Sequence, residues 1–446
     1  MSKSFDLILR NGTIVNHDGR SARDIGVRDG RIAALGNLSS ASAAEEIDAT
    51  GLHVLPGVID TQVHFREPGL EQKEDLKTGS MAAILGGVTA VFEMPNTFPP
   101  TDSAAAMNDK LSRAHHRMFC DHAFYVGATA ENAADLGELE RLPGCCGVKV
   151  FMGSSTGSLL VADDEGLAAV LRSIRRRAAF HAEDEARLNA RKGERRVDDP
   201  ASHADWRDPD TAILASRRLL AMARRFGKRV HVLHITTADE IELLASYKDV
   251  ASVEVTPQHL TLAAPDCYLE LGTYAQMNPP IRGAEHRDGL WRGVAAGVVD
   301  IIGSDHAPHL KEEKERSYPA TPSGMPGVQT LVPILLDQVN AGRLTLERFV
   351  DLTSHAAQRL FGTVQKGRLA VGYDADFTVV DLKRQVTIED SWVASKCGWT
   401  PFRGRTVTGW PLGTIIRGHR VMWENQIIGD AIGEPVRFAE TLAPQS

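Results

Sequence analysis

Strand-like and helix-like stretches take turns through the middle of this chain. Between about residues 56 and 362, eight runs rich in β-branched, aromatic and other apolar residues stand out: HVLPGVIDTQVH, VTAVFEMP, DHAFYVGA, CGVKVFM, AAFHAE, RVHVLHIT, ASVEVTP and VVDIIGSD. Helical periodicity fills several of the gaps. In TAILASRRLLAMARRF, Leu219, Met222 and Phe226 fall at i, i+3 and i+7, and Gly227 is a stop signal. Eight strands alternating with helices predict an α/β protein built on a (β/α)8 barrel of the TIM type, although a doubly wound sheet alternates in the same way. The two ends of the chain have another texture. DLILRNGTIV and RIAALGN near the start, and KGRLAVGYDADFTVVDL and TIIRGHRVMW near the end, read as short strands joined by turns. Segments of this kind at opposite ends can pair. The expected organisation is a small β-sandwich domain made of residues 1–55 plus 365–446, with a barrel of residues 56–364 between them. Residues 183–210 are dense in charge, carry Pro200, and read as a long surface loop. Residues 310–327 read as a surface loop with two turns that could close over a site.

Composition narrows the class. The 446 residues are 43% hydrophobic and 24% charged, ordinary values for a globular protein able to bury a large core without staples. The balance of 50 Lys+Arg against 58 Asp+Glu gives −8, and no long basic tract is present, which argues against a nucleic-acid partner. No run of 18 apolar residues suits a membrane span. The first residues, MSKSFDLILRNG, lack the apolar core of a secretion signal. Five cysteines in no CxxC pattern read as free thiols of a reducing, cytoplasmic setting. No GxGxxG follows an early strand, which disfavours a dinucleotide-binding dehydrogenase.

The chemistry sits at the ends of the strand-like runs. In a barrel, functional groups come from the C-terminal ends of the strands and the loops beyond them. The first run ends Asp60-Thr61-Gln62-Val63-His64, and residues 60, 62 and 64 share a face because strand side chains alternate. The fourth run contains Lys149, the fifth His181, the sixth His234, and the eighth ends at Asp305 before His306-Ala307-Pro308-His309. Taken singly, a strand-end histidine is usually structural, a lysine in an apolar strand is usually paired or snorkelling, and an aspartate there is often a cap. Five such groups at five strand ends point instead to a metal centre, and imidazole plus carboxylate suits Zn2+.

The stretches Val63-His64-Phe65-Arg66-Glu67-Pro68-Gly69, Met94-Pro95-Asn96, Met277-Asn278-Pro279-Pro280-Ile281-Arg282 and Asp305-His306-Ala307-Pro308-His309 occur in order and at strand ends. They resemble the cyclic amidohydrolase family, which includes dihydroorotase, allantoinase and hydantoinase, and within it dihydroorotase most of all. The resemblance spans nearly the whole chain, from PGVID to GRLAVGYDADFTVVDL. It implies a zinc-dependent hydrolase acting on cyclic amides that interconverts L-dihydroorotate and N-carbamoyl-L-aspartate in pyrimidine biosynthesis. It also implies one or two Zn2+ held by His64, His181, His234 and Asp305, with Lys149 at the place of a lysine that relatives carboxylate on its N6 atom to bridge two metals. Asp305 would act as general base and then general acid. Arg66, Asn96, Asn278 and His309 match substrate-binding positions, and a guanidinium fork such as that of Arg66 fits a carboxylate by two parallel hydrogen bonds.

One position departs from the pattern. The family usually has His-x-His on the first strand, and this chain has Gln62-Val63-His64. That leaves three expectations: one metal held chiefly by Lys149, His181 and His234; two metals with fewer protein ligands on one; or a non-catalytic relative that serves as a partner of aspartate transcarbamoylase. Another cyclic amidase, such as a hydantoinase, dihydropyrimidinase or allantoinase, is the alternative enzyme. A homodimer or higher homo-oligomer is the default assembly. Gln258 and Gln276 stand where relatives often carry other polar residues.

Overall fold

In the computed structural model, which describes residues 4–155 and 159–441, each of the eight runs of the middle segment contains a strand. In chain order these are β1 (Val58–Val63), β2 (Val88–Glu93), β3 (Asp121–Gly127), β4 (Cys145–Phe151), β5 (Ala178–His181), β6 (Val230–Val232), β7 (Ala251–Val255) and β8 (Ile301–Ile302). Every neighbouring pair is parallel and the spatial order is the chain order. The ring closes just beyond β8, where the His64 N–H donates to the His306 carbonyl at 2.7 Å and Val63 bridges His306 in parallel. All strand residues are buried, because a parallel sheet wrapped by helices has apolar contacts on both faces. Alternate residues serve two cores. Ile59, Ala90, Phe92, Ala123 and Tyr125 pack together with Val436 and Phe438 of the tail, whereas Val58, Val91, Phe124 and Val126 join the larger core with the helices. The helix Pro209–Phe226 ends on Gly227 in the left-handed region at φ 61°.

Both chain ends build the remaining sheets. A four-stranded sheet uses Arg31–Gly36, Asp24–Arg28, Phe5–Arg10 and Ala43–Asp48. A seven-stranded sheet joins three early strands to four late ones, the junction being His53–Pro56 antiparallel to Phe377–Thr387. Leu7, Ile25 and Ile47 of one sheet and Val54, Phe377 and Ile415 of the other share an apolar core, so the sandwich is real. The run HVLPGVIDTQVH, read as one strand, is two. Its first four residues pair within the seven-stranded sheet and β1 starts after Gly57. A side chain at Gly57 would stand 2.2 Å from the Thr89 hydroxyl, so only glycine lets the chain pass from sandwich to barrel there.

Two loop readings need correction. Residues 183–210 are not a plain solvated loop. They contain the helices Glu185–Ala190 and Ser202–Trp206, and Glu183, His203 and Arg207 are buried. Residues 310–327 are not a loose surface loop either. Lys314, fully buried, donates to the carbonyls of Gln276, Pro322 and Gly324 and ties the segment down. No helix among the described residues is long and apolar enough to cross a membrane.

Candidate active site

The strand ends converge as the barrel geometry requires. A pocket of about 360 Å³ is lined by Gln62, His64, Arg66, Asn96, Lys149, Phe151, Ser155, His181, His234, Asn278, Asp305, Ala307, Ser323 and Gly324. Eight of the nine residues singled out in the sequence are in that lining. The ninth, His309, stands just behind it with its Nε2 3.3 Å from Arg66 Nη2. Three of these residues leave the β region: Arg66, His234 and Asp305 have φ of 64°, 36° and 46°. Side chains with a Cβ tolerate that conformation only when the surroundings hold it, and such strain gathers at functional sites.

Hydrogen-bond partners assign the histidine tautomers. His181 Nε2 lies 2.7 Å from Glu183 Oε2 and so carries the proton, which leaves the Nδ1 lone pair facing His234 Nε2 at 3.0 Å. His234 Nδ1 is buried and has no hydrogen-bond partner among the described residues. His64 Nδ1 donates to Asn96 Oδ1 at 2.8 Å, so its Nε2 lone pair faces the Asp305 Oδ1 carboxylate oxygen at 3.2 Å. Two acceptors facing each other need a proton or a cation between them. Burial lowers the pKa of His64, His181 and His234 alike, so protons are disfavoured on all three.

The donor chemistry therefore fits a cation, on one condition. Among the described residues, no three His, Cys, Asp or Glu side chains form a metal-holding group by themselves. Lys149 completes the set only as an oxygen donor, because its ammonium would repel a metal. It is fully buried, with Nζ 4.5 Å over the Phe151 ring, and desolvation lowers its pKa to about 7. Gln62 does not replace the missing imidazole. Its amide Nε2 donates to Asp305 Oδ1 at 3.0 Å, and its carbonyl oxygen is buried without a partner among the described residues.

Behind the pocket, the sequence reading missed a supporting layer. Burial would raise the Glu183 carboxyl, but the Arg207 guanidinium, His181 and Arg282 outweigh it and hold its pKa at about 2. Arg207 also donates to the Ser154 carbonyl at 2.5 Å. His203 Nε2 donates to Asn278 Oδ1 at 2.8 Å, which turns the Asn278 amide N–H2 toward Ser155 in the pocket wall. Asp60 accepts from the Gln62 and Ser304 backbone N–H groups at 3.2 and 2.9 Å and so couples the ends of β1 and β8. The available signal for Glu183 was its place two residues past His181 at a strand end; counting charge over 183–210 hid it. Gln258 and Gln276 are both buried, bonding the Ser304 carbonyl at 2.9 Å and the Ser323 hydroxyl at 3.0 Å.

Arg66 is the other distinctive group. It is 2% exposed, and desolvation lowers its pKa to about 10. Its Nε donates to the Pro308 carbonyl at 3.3 Å, and no carboxylate ion-pairs with it among the described residues. His309 Nε2 lies 3.3 Å from Arg66 Nη2 and 3.0 Å from the Ser323 carbonyl, and its Nδ1 lies 3.2 Å from Lys73 Nζ and 3.8 Å from Glu313 Oε2. Burial keeps that ring neutral, with its pKa lowered to about 3.

A parallel eight-stranded barrel with imidazoles, an aspartate and a lysine at its C-terminal mouth defines a hydrolase of the amidohydrolase type. The Amidohydrolase family profile matches residues 53–421, and the chain belongs to that family. A dihydroorotase of Methanothermobacter thermautotrophicus is 36% identical over 431 residues, covering 95% of this chain and 96% of that one. An L-hydantoinase of Paenarthrobacter aurescens is 32% identical, covering 95% and 96%. Among solved structures, the L-hydantoinase from Arthrobacter aurescens superposes with a TM-score of 0.92 at 32% identity, covering 97% of this chain and 99% of that one. The chain is thus a hydrolase acting on cyclic amides, in a family whose members are generally metal-dependent.

Proposed function

We propose that the pocket interconverts L-dihydroorotate plus water with N-carbamoyl-L-aspartate, as a zinc-dependent dihydroorotase of pyrimidine synthesis. The observation that carries this reading is the buried Arg66 guanidinium, which among the described residues forms no ion pair with a carboxylate; Asp305, the carboxylate in the same pocket wall, acts on it only at longer range. A buried cation without an anion is costly, and a substrate carboxylate relieves it through two parallel, charge-assisted hydrogen bonds. Dihydroorotate carries such a group; simple hydantoins and dihydropyrimidines do not. Asn278 offers its amide N–H2, Asn96 lines the same pocket, and His309 would act from behind Arg66 in holding the carboxylate and ring.

His181, His234 and an N6-carboxylated Lys149 would hold one zinc, with His64 and Asp305 available to the same or a second ion. The chemistry a bound zinc supplies is acidification of water and polarisation of an amide carbonyl. A lysine with its pKa near 7 has much of its amine neutral at physiological pH, the form that reacts with CO2. Asp305 takes the proton of the attacking water and delivers it to the departing ring nitrogen. Gln62 fixes the Asp305 carboxylate by its 3.0 Å bond, and the walls keep the ring beside it, so attack is effectively intramolecular.

The likeness to L-hydantoinase favours a second reading, an uncharged ring as substrate. Arg66→Met separates the two. The expected result is a loss of about 10²–10³-fold in kcat/KM for dihydroorotate, with any turnover of unsubstituted hydantoin unchanged. Equal rates on dihydroorotate before and after the substitution would overturn the carboxylate-binding role.

A further inference from the structure

A second cavity lies at the other end of the barrel. Arg176 and Arg177 directly precede β5, and Arg229 directly precedes β6. His181 ends β5 four residues beyond Arg177, roughly 13 Å of extended chain away. Arg359 joins them from the helix Ala356–Phe361, and together they line a cavity of about 610 Å³. Its single acidic lining residue is Glu440, so four guanidinium groups face one carboxylate.

Ion pairs neutralise part of that charge: Arg359 pairs with Asp300 at 3.3 Å and with Asp351 at 3.9 Å. Arg176 is buried and held rigidly, donating to the carbonyls of Glu140, Cys145, Cys146 and Phe361 at 2.7 to 3.2 Å and lying 4.8 Å from the Phe438 ring centre. Carbonyls solvate a guanidinium without cancelling its charge. Arg177 donates once, to the Val230 carbonyl at 2.9 Å, and its Nε is buried with no partner. Neither Arg177 nor Arg229 has an ion pair among the described residues. Desolvation and the repulsion of Arg229 and Arg359 outweigh the attraction of Asp300 and push the Arg177 pKa down to about 10.

We propose that this arginine-lined cavity is a binding site for a multiply charged phosphate anion, separate from the catalytic pocket. A single carboxylate satisfies one guanidinium fork. A phosphate or oligophosphate has enough oxygens and charge to engage Arg177, Arg229 and Arg359 together while Arg176 supplies fixed positive potential. The cavity opens to solvent, so a second phosphoryl group or the small organic part of a phosphate ester can extend outward from it.

The test uses the full-length protein and thermal unfolding with calorimetric titration at fixed ionic strength. The probes are inorganic phosphate, pyrophosphate, tripolyphosphate and ribose 5-phosphate, with succinate as the carboxylate control. Pyrophosphate is expected to bind saturably in the titration and to raise Tm by about 3 °C at one hundred times Kd, and succinate is not. Tighter binding by the oligophosphates or by the ester supports the site and identifies the source of the phosphate. The double substitution R177Q/R229Q, at positions not fully buried, should abolish the shift while keeping the ligand-free Tm and the ring-opening rate. Arg66→Met should leave the shift intact. The proposal is overturned if no probe binds saturably in the titration, if the Tm shift survives R177Q/R229Q, or if Arg66→Met removes it.

Discussion

At the scale of single residues, the pocket is a set of polar atoms whose partners dictate their state. Glu183 is the clearest case. By accepting from His181 Nε2 it fixes the tautomer that turns the Nδ1 lone pair toward His234, and Arg207 keeps the carboxylate charged. Outer partners of this kind are worth about 10–100-fold in metal affinity or activity. Glu183→Gln should therefore weaken retention of the proposed zinc by about that factor, read by competition with a chelator. Undiminished retention would remove Glu183 from the support of the centre. The residues named from the sequence were legible because their types are scarce at strand ends. Glu183, His203 and Arg207 were not, because their polar groups gain meaning only from partners up to 75 positions away.

At the scale of elements, apolar runs located all eight barrel strands but overstated their lengths. VVDIIGSD contains a two-residue strand and RVHVLHIT a three-residue one. The pairing stops early because His234 and Asp305 turn into positive φ to aim their side chains into the pocket, and propensity carries no record of that strain. The helix Pro209–Phe226 was legible at its C-terminal end, while its start and cap fell within the span read as a loop. Asp208 accepts from the Thr211 N–H, and Gly227 closes the last turn with its N–H on the Ala223 and Arg224 carbonyls. At φ 61°, a Cβ is strained even though open space surrounds the glycine. Gly227→Ala is expected to cost about 1 kcal/mol in chemical denaturation, with turnover unchanged.

At the scale of the whole molecule, a buried charge cluster joins the barrel to the returning chain. Lys366 Nζ pairs with Asp121 of β3 at 2.6 Å and with Asp376 at 2.5 Å, and Arg417 pairs with Asp121 at 2.5 Å. Burial opposes ionisation of Asp121, but the two cations outweigh it and its pKa is lowered. Its contribution to stability is therefore present above the unfolded carboxyl pKa of about 3.9 and is lost as pH falls through the lower folded value. Lys366→Met leaves Asp376 and part of Asp121 uncompensated, at a cost of about 3–5 kcal/mol at neutral pH. The cost should shrink in acid as those carboxyls protonate. A destabilisation independent of pH, measured by denaturant unfolding at neutral and acid pH, would show that packing rather than charge is lost.

The order of buried strands, the strand-built ends and most pocket residues were set by the chain's own pattern, because burial on both faces demands continuous apolar runs and catalysis demands rare residue types. Which polar atoms face each other was decided by the fold alone. His64 against Asp305, Glu183 between His181 and Arg207, Gln62 bonded to Asp305, and four arginines around one cavity all arise where strand and loop ends meet across the ring. Electrostatics and hydrogen bonding act over a few ångströms of space, and distance along the chain says nothing about them until the barrel closes.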